Sequence, residues 1–279
     1  MDVTFWGTRG SIASAGAATQ RYGGNTAAVQ VTGSDGTVVV LDAGTGIREI
    51  TGSLSPGLRR IDIFLSHLHM DHIQGLGFFA PMFMPSLDVH LWGPPSATLD
   101  LRRRLTRYLS PPLFPIRLRD LSSHVALHNA PDRPVRIGGL EISAAEVIHP
   151  GPTVGYRIRE NGASIAYIPD HEPALGNPSF PNTAPWTSGH ELAKGVDLLI
   201  HDVQYFPDER KARIGWGHSS TVEAAAFAQQ AGVRKLAAFH HDPAHDDATL
   251  DRLVTEVADA AAGVEVIGAR EGETISIAA

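Results

Sequence analysis

Ser66-His67-Leu68-His69-Met70-Asp71-His72 places three imidazoles and one carboxylate within six residues of one another. The preceding run, Ile61–Leu65, is short, apolar and β-branched, and reads as a strand. His67 and His69 are therefore expected to leave a strand end into a loop, with Asp71 and His72 opening the next short helix. Nitrogen and oxygen donors in this pattern suit Zn²⁺ or a similar ion. His67 and His69 can share one ion while Asp71 and His72 turn toward a second.

One loop cannot supply every ligand of a dinuclear site, and three downstream residues are placed to complete it. His149 follows Val147-Ile148, Asp170 follows Ala166-Tyr167-Ile168-Pro169, and His240 follows Ala237-Ala238-Phe239. Each closes an apolar run, where a strand delivers a side chain to the edge of a sheet. An aspartate can bridge two ions, one on each oxygen. His241 competes with its neighbour His240 for the last place, and the strand closing at Phe239 favours His240.

Around this nucleus the first half reads as β-rich, with strands at Val3–Trp6, Ala27–Thr32, Thr37–Leu41, Ile61–Ser66 and Val89–Trp92. Ala97–Leu109 fits a helix that Pro111 and Pro112 terminate. Further strands are expected at Leu140–Ile148, Val154–Ile158 and Ser164–Ile168, followed by a polar surface loop over Asn177–Pro185. The last third alternates strands (Leu198–His201, Leu236–Phe239, Val264–Ile267, Thr274–Ile277) with helices at Thr221–Gln230 and Ala248–Ala262. Ser220-Thr221-Val222-Glu223 is a capping box, and Gly232 and Gly263 mark helix ends. The order predicts an α/β fold of two mixed sheets with outer helices, in one domain over residues 1–279.

His67-x-His69-x-Asp71-His72, a lone His149, Asp170 after a strand and a late His240 together resemble the metallo-β-lactamase superfamily. The resemblance implies an αββα sandwich with a dinuclear site along one edge. It assigns His67, His69 and His149 to the first ion, Asp71, His72 and His240 to the second, and Asp170 to both. Leu199-Ile200-His201-Asp202-Val203 and Gly217-His218-Ser219-Ser220-Thr221 are similar to segments of the ribonuclease Z-like phosphodiesterases. In that branch an acidic residue supports a histidine that assists phosphodiester cleavage; Asp202 stands here where the family usually has Glu, and His218 is the histidine. His201 is expected to support or pack. Gly7-Thr8-Arg9-Gly10-Ser11 and Tyr22-Gly23-Gly24-Asn25-Thr26 resemble a bacterial and archaeal phosphodiesterase-like group, with Arg9 a source of charge for an anion.

Ribonuclease Z proper inserts a tRNA-gripping arm between the lone His and the bridging Asp. Here 20 residues separate His149 from Asp170, room for one hairpin. The net charge is −7, from 23 Lys+Arg against 30 Asp+Glu, which argues against a nucleic-acid binder. The exception is Asp100–Asp120, where six Arg face two Asp; its helical Arg102, Arg103, Arg104 and Arg107 read as a solvated face, with recruitment of an anion as the lesser reading. With no cysteine there is no thiolate nucleophile, thiolate zinc site or disulfide. No long apolar stretch suggests a membrane span, the start shows no export signal, and a cytoplasmic location is expected.

The resulting expectation is a hydrolase using two divalent metal ions, Zn²⁺ with Mn²⁺ or Fe as alternatives. It would act on small anionic phosphodiesters such as cyclic nucleotides. A bridging hydroxide oriented by Asp71 would attack, and His218, held by Asp202, would protonate the leaving oxygen. Ester, lactone or thioester hydrolysis on the same core, tRNA 3′ processing and a non-catalytic metal sensor are the alternatives. Strong nucleic-acid binding is not expected, and a homodimer is left open.

Overall fold

The computed structural model describes residues 1–175, 180 and 187–278. The strands are β1 (Asp2–Gly7), β2 (Ala28–Thr32), β3 (Val38–Leu41), β4 (Arg60–Phe64), β5 (Asp88–Gly93), β6 (His124–Asn129), β7 (Val135–Ile137), β8 (Leu140–Glu146), β9 (Val154–Glu160), β10 (Ala163–Ile168), β11 (Leu198–Asp202), β12 (Lys235–Phe239), β13 (Glu265–Gly268) and β14 (Thr274–Ser276). The helices are α1 (Ile47–Ile50), α2 (Met70–Ile73), α3 (Leu101–Leu105), α4 (His190–Ala193), α5 (Pro207–Lys211), α6 (Thr221–Ala231) and α7 (Asp247–Ala260). The loop expected at Asn177–Pro185 lies almost wholly outside the described residues.

Two seven-stranded sheets form, in the orders β14-β1-β2-β3-β4-β5-β6 and β13-β12-β11-β10-β9-β8-β7. Both are mixed: β3 to β6 run parallel in the first and β10 to β13 in the second, with antiparallel strands completing each. The central strands are apolar on both faces because both are covered. In β10, Ile165 and Tyr167 point into the layer between the sheets, while Ala166 and Ile168 point outward under the helices. The outer face of the first sheet packs under α1 and α3 through Ile47, Ile50, Leu101 and Leu105. The outer face of the second packs under α6 and α7 through Phe227, Ala228, Leu253 and Val257. The expected αββα sandwich is what forms.

Three local differences have physical causes. The helix expected over Ala97–Leu109 shrinks to α3 because the Asp100 side chain caps it, accepting from Arg103 N at 2.7 Å. Beyond Thr106 the chain tightens into single turns, and Tyr108 and Leu109 continue the buried face from those turns rather than from a helix. Strand β6 was not foreseen; it is an edge strand with half-exposed residues throughout, so it lacks strict apolar–polar alternation. The same holds for the three-residue β7. The capping box forms as expected: Ser220 N donates to Glu223 Oε2 at 2.8 Å, and the Ser220 hydroxyl accepts from Glu223 N. Among the described residues no helix is long and apolar enough to cross a membrane.

Parallel strands of both sheets deliver their carboxyl ends to one edge. Asp42 follows β3, the 66–72 loop follows β4, Asp170 follows β10, Asp202 ends β11 and His240 follows β12. That edge carries the site.

Candidate metal centre

His67, His69, His149 and Asp170 converge so that one donor atom from each lies within 4.8 Å of the others, and so do Asp71, His72 and His240. Asp170 forms a third such set with His218 and His240, and it lies between the first two. Its Oδ2 lies 3.7 Å from His67 Nε2 and 3.6 Å from His149 Nε2, while Oδ1 lies 3.1 Å from His72 Nε2 and 3.3 Å from His240 Nε2. His241 turns away, its Nε2 donating to the Ala269 carbonyl at 3.0 Å and its ring edge-on to Tyr22.

The tautomers follow from the outer partners. His149 Nδ1 lies 2.8 Å from the Gly217 carbonyl, which can only accept, so Nδ1 carries the proton. His72 Nδ1 donates in the same way to Asp42 Oδ2 at 2.7 Å. Ser66 gives its hydroxyl proton to Asp42 at 2.7 Å and therefore accepts from His67 Nδ1 at 3.0 Å. In His149 and His67 the inward Nε2 is left with a lone pair. Ring nitrogens also crowd one another, at 3.3 Å between His72 Nε2 and His240 Nε2 and 3.1 Å between His149 Nε2 and His69 Nδ1. His67 Nε2 and Asp170 Oδ1 are buried without a hydrogen-bond partner. Imidazole nitrogens and carboxylate oxygens crowded this closely, two of them buried without a partner, call for a cation at the centre, and an imidazole–carboxylate set fits a divalent metal.

The comparisons agree with this geometry. A family profile described as the beta-lactamase superfamily domain matches residues 37–241. The chain belongs to the β-lactamase superfamily. A ribonuclease Z of Haloarcula marismortui is 27% identical over 317 residues, covering 98% of this chain and 95% of the relative. A ribonuclease Z of Mycobacterium bovis is 30% identical over 234 residues, covering 74% and 76%. A metallo-β-lactamase fold protein of Bacillus subtilis superposes with a TM-score of 0.71 at 20% identity, covering 98% of each chain. This superfamily member is ribonuclease Z-like and a metal-dependent hydrolase.

Electrostatics in this β-lactamase-superfamily site reflect the crowding. Burial pushes His67 well below its ordinary range and lowers His149 to about 4, so both stay neutral. Burial would lower His72 too, but Asp170, Asp71 and Asp42 outweigh it and hold that ring well above its ordinary value. Burial opposes ionisation of Asp71, yet His72 and His240 keep its carboxyl below the usual range; its Oδ2 also accepts from Ser11 N at 2.7 Å. His218 stacks on His240 and donates from Nδ1 to Asp202 Oδ2 at 2.8 Å. Despite burial, Asp202 raises its pKa to about 9. Asp202 is itself fixed by backbone donors, His171 N and Gln204 N, each at 3.1 Å. His201 supports and packs, bonding to the Asp202 carbonyl at 2.8 Å and to His171 at 2.9 Å.

Several supporting residues had no role in the sequence reading, where Asp42 only marked the start of the family match. Asp42 accepts four hydrogen bonds, from Ser66 N, Ser66 Oγ, His72 Nδ1 and Tyr167 OH, and so orients donors of both groups. Its one signal was an acid closing an all-apolar strand; the backbone there is left-handed, φ 59°, as at His240, φ 58°. Glu172, fully buried, accepts from Gly215 N, Gly217 N and Arg210, shaping the loop that carries Gly217 and His218. Gly217, at φ 88°, passes so close to His149 that a Cβ would collide with the ring. Arg9 does not supply charge to the site. Its buried guanidinium donates to the carbonyls of Gly23, Asp242 and His245 and clamps the amino-terminal loop to the loop after β12.

Asp42→Asn should keep the fold and lower metal affinity roughly 10–100-fold, because it weakens the grip on His72. Asp42→Ala should in addition destabilise by roughly 3 kcal/mol, leaving the Tyr167 hydroxyl and the Ser66 donors without an acceptor. Metal titration and denaturant melts of the two variants check both figures.

Proposed function

We propose that this protein hydrolyses small phosphodiesters, cyclic nucleotides among them, with two divalent ions in the cluster. The reading takes Zn²⁺ as the ion, with Mn²⁺ or Fe accepted by the same donors. When bound, the ions supply Lewis acidity for the phosphoryl oxygens and an activated water. His67, His69 and His149 would hold one, Asp71, His72 and His240 the other, and Asp170 both.

The observation that carries the reading is the His218–Asp202 pair at 2.8 Å, with His218 Nδ1 3.9 Å from Asp170 Oδ2. With Nδ1 committed to Asp202, the ring presents Nε2 to a leaving group and stays protonated near neutral pH, as a general acid requires. Asp71, pinned by Ser11 N, is placed to orient the attacking water. Ester, lactone and thioester hydrolysis needs no such acid.

The relatives' name, ribonuclease Z, favours a second reading, RNA cleavage, of which tRNA 3′ processing is the form the resemblance implies. Against it, the interval between His149 and Asp170 holds the β9–β10 hairpin, and the net charge of −7 leaves little basic surface for RNA. The reading therefore expects weak, steeply salt-dependent nucleic-acid affinity. It takes residues 1–279 as one cytoplasmic domain, with dimerisation left to a sedimentation measurement. A panel of small diesters, lactones, thioesters and precursor tRNA, assayed with each metal, tests it. Turnover of bis(p-nitrophenyl) phosphate with intact tRNA is expected; specific trimming of a tRNA 3′ end at physiological salt would contradict it.

A further inference from the structure

A cavity of about 290 Å³ opens directly beside the cluster, with His67 and His69 forming one wall. Leu68, Met70, Ile73 and Leu113 make much of the rest apolar, and Arg104 and Arg107 line it from α3 and the turn that follows. The Tyr108 hydroxyl at its edge is already committed to the Gln74 carbonyl. Arg103, by contrast, is exposed and pairs with Asp100. Among the described residues no carboxylate pairs with Arg104 or Arg107. The Arg104 guanidinium is anchored through Nη2 to the Pro94 carbonyl, while its Nε is buried without a partner. Arg104, half-buried against apolar walls with a donor unmet, favours an anionic ligand, and the exposed Arg107 lines the same cavity beside it. A dry cavity of about 150 Å³ accommodates a benzene, so this one has room for an aryl-sized body and a charged end.

We propose that this cavity is a specificity subsite for a second negative charge on the substrate. Resting on the phosphodiesterase reading, it narrows the substrate class to diesters in which one ester group is apolar, aryl-sized and ends in a carboxylate or phosphate. Arg104 and Arg107 grip that end, and Leu68, Met70 and Leu113 cover the body. The lesser reading of the arginine cluster, recruitment of an anion, thus holds for Arg104 and Arg107, while Arg102 and Arg103 remain a solvated face.

The test is calorimetric titration of the zinc-loaded protein with phenyl phosphate, 4-carbamoylphenyl phosphate, 4-carboxyphenyl phosphate and 1,4-phenylene bisphosphate. The two ligands with a second charge should bind on the order of tenfold tighter than the neutral carbamoyl isostere. The stronger of the two identifies the anion. Arg104→Gln and Arg107→Gln should each shrink that ratio, the double variant should bring it to about one, and Arg107→Lys should restore part of it. Melting curves verify folding, and the single variants decide should the double one unfold. Equal affinities in the parent, or a ratio surviving in both single variants, would overturn the subsite. Hydrolysis of the matching p-nitrophenyl diesters, run in parallel, reports on the diesterase reading separately. Selective binding without any diester turnover would sink that reading and leave the subsite standing.

Discussion

His218→Ala should retain its metal and hydrolyse an alkyl-type phosphodiester roughly 10²–10⁴-fold more slowly than the parent protein. An alkoxide leaves poorly without a proton, and the imidazole that stacks on His240 with Nδ1 on Asp202 is the group placed to supply one. A p-nitrophenolate departs readily unprotonated, so the same variant should lose much less activity on bis(p-nitrophenyl) phosphate. Asp202→Asn should show a milder form of this pattern, because the ring remains but loses the charge that raises its pKa to about 9. Metal content must be measured beside the rates, since loss of an ion imitates loss of the acid. Parent rates on both diesters in a fully metallated His218→Ala protein would remove the general acid and favour acyl chemistry.

Asp170→Ala should empty the centre rather than trim it. The two oxygens of Asp170 face different histidines, His67 and His149 on one side and His72 and His240 on the other. On the proposed assignment, deleting them would remove a ligand from each group and the negative charge that offsets a divalent ion. Elemental analysis is expected to find both ions depleted at stoichiometric metal, with activity below detection. Full occupancy in that variant would take Asp170 out of the site. His241→Ala serves as the contrast: it should keep its metal, because His241 Nε2 is committed to the Ala269 carbonyl and joins none of the ligand groups.

Several residues that converge on the centre, His67, Asp170 and His240, were legible because each follows the end of an apolar strand, a position visible in one dimension. Chemistry adds the rest, as a His-x-His-x-Asp-His run has few other uses. What supports them was not legible. Asp42 lies 24 residues before Ser66 and 125 before Tyr167, and meets them only because β3 and β4 are neighbours and the two sheets face each other. Glu172 reaches Gly217 across 45 residues through a backbone contact that no side-chain pattern announces. Arg9 was a possible source of charge for an anion in its glycine-rich setting, whereas its partners are three carbonyls, those of Asp242 and His245 more than 230 residues away in sequence. The overlong helix at Ala97–Leu109 has the same origin. Its apolar spacing was real, but Asp100 capped the helix late and turns carried the remaining buried residues.

Metal dependence of diester cleavage is the centre of the account, and one measurement reaches it directly. The protein would be stripped with a chelator, dialysed, and titrated with Zn²⁺, Mn²⁺ or Fe²⁺ while hydrolysis of a small alkyl diester and metal content are followed together. The stripped protein should show no turnover, and activity should rise with occupancy to a plateau near two ions per chain. Undiminished hydrolysis after stripping, or a fully loaded protein that cleaves lactones or thioesters and no phosphodiester, would contradict it.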